Sequence, residues 1–331
     1  MSGVLARLRH RLGDEALGLM LALVAVVAVF GTLSPRFLSV ANFSSMAFQL
    51  PELGLLTLAM LMPIISGGLN LAVTFTANIA GLALAWVLQG LGGAEAGVVV
   101  FLLGVGLALL AGGLSGCAMG MVIAYTGAHP ILVSLSMMIF LRGLGEFLTR
   151  GGDISGFPDF IHPIGHGAWL GVPVPLWIFL GAVLVWHLLL SRRRLGFITY
   201  MVGSNIEATR YSGVHTRRSL VWIYTLSGLM CAVAGIIMLA RFNSVRVGHG
   251  ESYLLITVLA CFLGGVNPFG GFGRVSQVFL ALVILQLLSS GLNLLGANQH
   301  LATAVWGLLL IVVVVLRWLA RHESLARLFG R

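Results

Sequence analysis

Side chains that could move protons or hold a charged ligand are scarce in this sequence, because only 9% of its residues are charged. Arg142 and Glu146 are four positions apart in an apolar segment, a spacing that places both on one helix face. We expect an internal ion pair there, with a proton relay as the less favoured alternative. Glu52, the other acidic candidate, follows Pro51 and is expected near the outer end of its segment. Proton-coupled transport requires an acidic side chain near the middle of the membrane, and neither glutamate fits this position well.

Sequence motifs of enzymes are absent. The chain has no HExxH or GxSxG motif, and it has no lysine, so it cannot form the lysine-containing phosphate loop of an ATPase. Its three cysteines lie inside apolar runs, which predicts buried thiols rather than a disulfide or metal site. His162 and His166 have a chelating spacing, but they lack a further ligand, so we expect no metal and no other cofactor. If ATP drives transport, a partner subunit must bind it.

Two glycine- and asparagine-rich breaks interrupt the apolar pattern, at 66–71 (SGGLNL) and at 264–273 (GGVNPFGGFG). Glycine pairs free the backbone, and asparagine offers a neutral donor and acceptor. Broken helices at membrane depth occur where the backbone is buried or lines a cavity, which would suit a neutral polar solute. Ordinary tight turns between spans are the alternative at both places.

A capped helix is predicted inside a basic loop, over residues 204–213. Ser204 and Glu207 have the spacing of a capping box, and Gly213 is a suitable stop. A short rigid helix in such a loop is what a docking element for a partner subunit requires. A helix lying on the lipid surface is the alternative.

The elements that must position these residues are membrane helices. The chain of 331 residues is 59% hydrophobic, more apolar surface than one soluble core could bury, so lipid must cover much of it. The net charge of +9 comes from arginines between apolar segments, which excludes nucleic-acid binding as its explanation. We predict an all-α, polytopic membrane protein.

Ten apolar segments are long enough, or nearly long enough, to cross a bilayer. The eighth is short, and the second and third are almost contiguous, so either place could hold a broken or re-entrant helix. The predicted spans are 17–34, 43–65, 69–89, 96–124, 130–148, 173–190, 219–240, 252–266, 275–295 and 300–316. Ten spans place most arginines on one side, which predicts that this side and both termini are cytoplasmic.

The fourth span carries small residues at every fourth position, which predicts a smooth face for close helix packing. We expect this helix to be internal to the bundle. The residues are Gly104, Ala108, Gly112, Gly116, Gly120 and Ala124.

Nearly the whole chain resembles the permease subunits of bacterial monosaccharide ABC importers of the ribose and galactose type, which are related to branched-chain amino-acid permeases. Residues 66–73 (SGGLNLAV) are similar to the stretch SGGIDLSVG, and 140–144 match FLRGL. Residues 203–213 (GSNIEATRYSG) resemble GGNPEAARLSG, and 264–273 resemble GGTSLFGGRG. The stretch GLNLLG follows at 291–296. Five ordered matches identify the family but not its substrate.

The resemblance implies a type II ABC importer permease that performs no covalent chemistry, with one transmembrane domain over residues 1–331 in the bacterial inner membrane. It implies three partners: a cytoplasmic ABC ATPase, an external solute-binding protein, and a second permease subunit, identical or similar. The loop 191–219 would carry the coupling helix, with docking residues Asn205, Glu207, Arg210 and Gly213. Alternating access, driven by the ATPase, would open a central path.

For the solute pathway we predict Asn70, Phe75 and Asn78, of which at most two share a helix face. The sequence departs from the family here: Asn70 replaces the usual aspartate, and Ala72 the usual serine. These changes remove a charge from the expected path and favour another sugar, a sugar alcohol or a small polyol over ribose.

Other transport classes remain open from the residues alone. An ion-coupled secondary transporter would need no ATPase, and a passive channel would equilibrate its solute without accumulating it. Within the ABC reading, branched-chain amino acids or nucleosides are alternative substrates. An intramembrane enzyme is disfavoured by the missing motifs.

Overall fold

The architecture follows the apolar pattern of the chain. The computed structural model describes residues 14–321, and these form thirteen α-helices with four two-residue strands. In chain order the helices are α1 (Asp14–Leu33), α2 (Val40–Ile65), α3 (Val73–Gly90), α4 (Val98–Thr126), α5 (Pro130–Thr149), α6 (His162–His166), α7 (Val174–Arg192), α8 (Arg194–Ser204), α9 (Ile206–Tyr211), α10 (Thr216–Phe242), α11 (Tyr253–Leu263), α12 (Val275–Leu294) and α13 (Gln299–Arg321).

All ten predicted spans coincide with helices, and the all-α membrane class is confirmed. Eight helices are long and apolar enough to cross a membrane, and two shorter apolar stretches lie in α11 and in α13 over His300–Val313. With 11 residues, α11 rises only about 16 Å at 1.5 Å per residue, roughly half of a hydrocarbon core. The predicted short eighth span is therefore a half-length helix.

Helix α2 is the centre of the bundle. From Leu50 to Ile65 every residue is buried, including Pro51 and Pro63, and α7, α8, α10, α11 and α12 all pack against it. A helix that is apolar on all sides satisfies its surface only when other helices surround it.

The small-residue face of α4 packs directly on backbone, as predicted. A Cβ on Gly116 would lie 2.1 Å from the carbonyl oxygen of Tyr224 in α10, and one on Gly112 would lie 2.5 Å from that of Gly228. Gly104 packs instead against Leu84 of α3. The expectation that α4 is internal was wrong, because its opposite face, with Leu103 among others, is exposed.

One end of the bundle collects the basic loops, and we call it the arginine-rich end. It holds the ends of α2, α4, α7 and α11 and the starts of α3, α5, α10 and α12. Its arginines include Arg192, Arg193, Arg194, Arg210, Arg217, Arg218 and Arg274. That this end is cytoplasmic stays a prediction, and residues 1–13 and 322–331, which carry the predicted cytoplasmic termini, lie outside the described residues.

The segment between α5 and α7 lies at the opposite end. Strand β1 (Ile154–Ser155) pairs with β4 (Ser244–Val245), and β2 (Ala168–Trp169) forms a hairpin with β3 (Val172–Pro173). The His162 and His166 rings stack 4.5 Å apart, and no cluster of three metal-ligating side chains occurs among the described residues.

The predicted pair of Arg142 and Glu146 is present at 3.0 Å, but the expectation that it is internal was wrong, because both side chains are 49% exposed. The Arg142 guanidinium also reaches the Glu251 carboxylate at 3.1 Å. This second contact joins α5 to the loop before α11.

Candidate functional site

Helix α9 is the short helix that the sequence predicts in the basic loop. Its N-cap is Asn205, whose side-chain oxygen accepts from the backbone N–H of Ala208 at 2.9 Å. The capping-box assignment to Ser204 was therefore wrong by one residue, because Ser204 is still the last residue of α8. Gly213 follows the helix with φ of +79°, a conformation that glycine adopts without strain, so the predicted stop is correct.

The predicted docking residues divide into two kinds. Asn205 and Gly213 shape the ends of α9, whereas the side chains of Glu207 and Arg210 are exposed on it. Glu207 and Arg210 border a groove of about 630 Å³ between α9, the end of α4 and the start of α10. Arg217 and Arg218 also line this groove, and the Arg217 guanidinium lies 5.7 Å from the centre of the Tyr125 ring. The arginine-rich end thus presents a basic, exposed groove, and docking of a partner subunit on it stays a prediction.

Both glycine-rich breaks contact the end of α8 through backbone atoms. We call this contact the glycine junction, and it consists of Gly67, Gly203, Gly270 and Gly271. A Cβ on Gly203 would lie 1.9 Å from the Ile65 carbonyl oxygen, and one on Gly270 would lie 2.7 Å from the Gly67 nitrogen. The Gly271 N–H donates to the Ile65 carbonyl at 2.8 Å. Of the two alternatives for these breaks, the structure has tight connections between helices. Gly270 and Gly271 are buried, whereas Gly67, Phe269 and Phe272 are exposed.

The glycine junction ties α9 to the centre of the bundle. Gly203 is three residues before α9, and Ile65 is the last residue of the central helix α2. The Tyr200 hydroxyl of α8 donates to the Gly273 carbonyl at 2.8 Å, and burial raises the pKa of Tyr200. The sequence analysis missed this junction, and the glycine pairs at 67–68 and 270–271 were its only signal.

Asn70 is fully buried and already satisfied within the protein. Its amide N–H donates to the Ser227 hydroxyl at 2.8 Å, and that hydroxyl donates to the Ala59 carbonyl at 2.7 Å. The Asn70 side-chain oxygen accepts from the backbone N–H of Ala72 at 3.0 Å. In this conformation Asn70 joins α2, α3 and α10 rather than lining an open path.

Phe75 and Asn78 have different surroundings from Asn70 and from each other. The Phe75 ring is 1% exposed and has the Arg142 guanidinium 5.7 Å from its centre. Asn78 is also buried and faces a small hollow beside Gly235 of α10. Its amide nitrogen has no hydrogen-bond partner among the described residues. The three predicted pathway residues are therefore not brought together, and their role in the pathway stays a prediction.

Glu52 is fully buried among the helices, toward the end of the bundle opposite the arginine-rich end. Its carboxylate lies 2.8 Å from the Arg241 guanidinium in the last turn of α10. The Tyr253 hydroxyl also donates to Glu52, at 3.3 Å. This ion pair has a structural role, because removal of either partner would leave the other charge buried and unpaired.

Comparison with known proteins places this arrangement in a family. Residues 42–314 match the family model described as branched-chain amino acid transport system / permease component. The chain belongs to this permease family. The match spans α2 to α13, so it includes the central helix, the glycine junction and α9.

Individual relatives of this permease cover almost its whole length. The autoinducer 2 import system permease protein LsrD of Yersinia enterocolitica is 32% identical over 96% of this chain and 95% of its own. The proteins of that name from Salmonella typhi and Photorhabdus temperata are each 30% identical, over 91% and 93% of this chain and 90% and 92% of their own. No solved structure matches the permease significantly. The recognition from sequence is confirmed, and the chain is a multi-pass membrane permease.

Proposed function

We propose that this chain is the permease subunit of an ATP-driven importer that brings a sugar or sugar-like polyol into a bacterial cell. The observation that carries the proposal is α9, an exposed helix fixed to the central helix α2 through the glycine junction. A partner ATPase docks on α9, and its closure on ATP pushes the helix. Since Gly203 has no space to yield against Ile65, the push reaches α2 directly.

The remaining partners follow from the same proposal. A solute-binding protein delivers the solute at the end opposite the arginines, and a second permease subunit completes the path. The membrane is the inner membrane, with the arginine-rich end and both termini in the cytoplasm. ATP binds to the ATPase, since this chain has no lysine for a phosphate loop.

The relatives support a sugar-like solute, since they are named as permeases for autoinducer 2. The family description names branched-chain amino acids instead, which makes leucine the competing substrate. Uptake of both solutes by proteoliposomes that contain the assembled complex and internal ATP distinguishes them. Uptake of autoinducer 2 without leucine uptake is expected, and the reverse result would assign the chain to amino-acid import.

Docking is tested by co-purification of the ATPase with the tagged permease. We expect the ATPase to be retained by the wild type and lost from Glu207→Arg/Arg210→Glu, because the exposed charges on α9 are reversed. The matched control is Glu95→Arg/Arg36→Glu, which reverses two exposed charges at the opposite end. Retention by both variants would place the docking site elsewhere. If folded wild type accumulates solute without any ATPase, and an uncoupler stops it, the permease is an ion-coupled transporter.

A further inference from the structure

A polar cleft lies at the end of the bundle opposite the arginine-rich end. It has a volume of about 330 Å³ and is bounded by α2, α11, α12 and α13. A smaller hollow of about 60 Å³ continues it between the helices toward Leu53 and Gln286. Gln49, Tyr253, Ser289 and Trp306 border both spaces. Binding pockets for small molecules start at about 300 Å³, so the cleft has room for a monosaccharide-sized solute.

The polar groups that line the cleft are neutral hydrogen-bonding side chains, set among apolar ones such as Leu255 and Ile256. Amides and hydroxyls both donate and accept, as the hydroxyl groups of a polyol do. Gln49 and Gln286 already pair, with 3.2 Å between the Gln286 amide nitrogen and the Gln49 oxygen. The Ser289 hydroxyl and the Asn293 amide form no hydrogen bond with other described residues. These two groups can therefore donate to and accept from a solute in the cleft or at its rim.

Trp306 gives the cleft an aromatic wall. Its side chain is only 7% exposed, although it stands on α13, most of whose described apolar side chains are at least partly exposed. An indole ring offers a flat apolar surface on which the C–H face of a polyol can stack, while polar groups opposite fix its orientation.

The neutral lining favours an uncharged solute over a charged one. No Asp, Glu, Arg or His borders either space in the described part of the chain. The nearby Glu52 is held by Arg241 and by the Tyr253 hydroxyl. A zwitterionic amino acid would lose water from two charges here without gaining a partner, which is strongly unfavourable.

We propose that this cleft is an entry-side binding site for a neutral polyol. The solute occupies the site before it moves inward. The inference rests on the proposed function for the direction of transport, but not for the chemistry of binding. Gln49, Ser289, Asn293 and Trp306 recognise the solute, and the hollow toward Gln286 leads it between α2 and α12.

Occupancy is measured by protection of a thiol introduced at the rim of the cleft, Ser252→Cys, from a maleimide in the purified permease. The background is Cys117→Ser, since the other two cysteines are buried. We expect autoinducer 2 or ribitol to slow labelling at least several-fold and leucine to leave it unchanged. The matched control is Ser44→Cys, an exposed position on the same helix as Gln49, where no solute should have an effect. Equal labelling rates with and without polyol would overturn the proposal.

Transport separates this inference from the proposed function. In the assembled complex, Trp306→Leu/Ser289→Ala should raise KM about tenfold, which is 1.4 kcal/mol of binding, with the maximal rate unchanged. Ser44→Ala should leave both values unchanged. ATP-driven polyol uptake with an unaltered KM in the double variant would reject the cleft and keep the importer. Thiol protection in a permease that shows no ATP-driven uptake would keep the polyol site and reject the importer.

Discussion

The glycine junction makes Gly203→Ala the sharpest test of how α9 is fixed to the bundle. The added Cβ would lie 1.9 Å from the Ile65 carbonyl oxygen and 2.5 Å from the Gly271 nitrogen. Both neighbours are backbone atoms, so no side chain can rotate away. Overpacking of this kind lowers the free energy of unfolding by about 1–3 kcal/mol, and loss of the Gly271–Ile65 hydrogen bond lowers it by about 1 kcal/mol more. The better helix propensity of alanine in α8 offsets about 0.5–1 kcal/mol, which leaves a net loss of about 1–3 kcal/mol.

A thiol-reactive dye measures this loss in a Cys117→Ser background, because the remaining Cys231 and Cys261 are buried and react only on unfolding. One kcal/mol corresponds to about 2–4 °C in domains of 150–250 residues, so Gly203→Ala should melt several degrees below wild type. Gly181→Ala on α7 is the control, since an added Cβ meets nothing within 4 Å there. ATPase binding should survive in Gly203→Ala, while uptake slows. A variant as stable as wild type would refute the close approach of the three segments.

Three further perturbations test the buried polar groups and one loop histidine. Asn70→Asp should lower the melting temperature by the equivalent of about 1–3 kcal/mol, because the Ser227 hydroxyl would face two acceptors with one proton. Glu52→Gln should lower the free energy of unfolding by about 3–5 kcal/mol, because it leaves the Arg241 charge unpaired. The double variant Glu52→Gln/Arg241→Met should recover part of this loss. ATP-driven uptake per folded molecule should persist in both variants. Burial lowers the pKa of His249 below its ordinary value of about 6.5, so melting scans should show stability lost as the pH falls below that value, and less so in His249→Gln.

Features that are local in the chain could be predicted from the sequence. The apolar lengths located all ten helices, and the four-residue spacing of Gly112 and Gly116 identified a face for close packing. The i,i+4 pair of Arg142 and Glu146 is likewise a local property of one helix. The cap of α9 was misplaced by one residue because Ser204 and Asn205 are both good caps, and the extended backbone of Asn205 decides between them.

Contacts between distant segments could not be predicted in the same way. Glu52 and Arg241 form a pair only because α2 and the end of α10 meet in the bundle, and no spacing in the sequence reports this. The glycine junction likewise combines three separate segments. Asn70 was expected beside the solute because of its polarity, but its polar atoms are used to hold helices together. A buried polar residue in a membrane protein has two possible roles, and periodicity does not distinguish them.

The backbone contact between α4 and α10 restricts how a transport cycle can proceed. A Cβ on Gly228 would lie 2.1 Å from the Gly112 carbonyl oxygen, and one on Gly112 would lie 2.5 Å from the Gly228 carbonyl oxygen. Neither helix can slide or roll along the other without collision of main-chain atoms, so the two move as one rigid body. Rearrangement must therefore occur at interfaces made of flexible side chains, such as the one between α11 and α13. A covalent cross-link between α4 and α10 would leave the cycle intact, whereas one between α11 and α13 would arrest it.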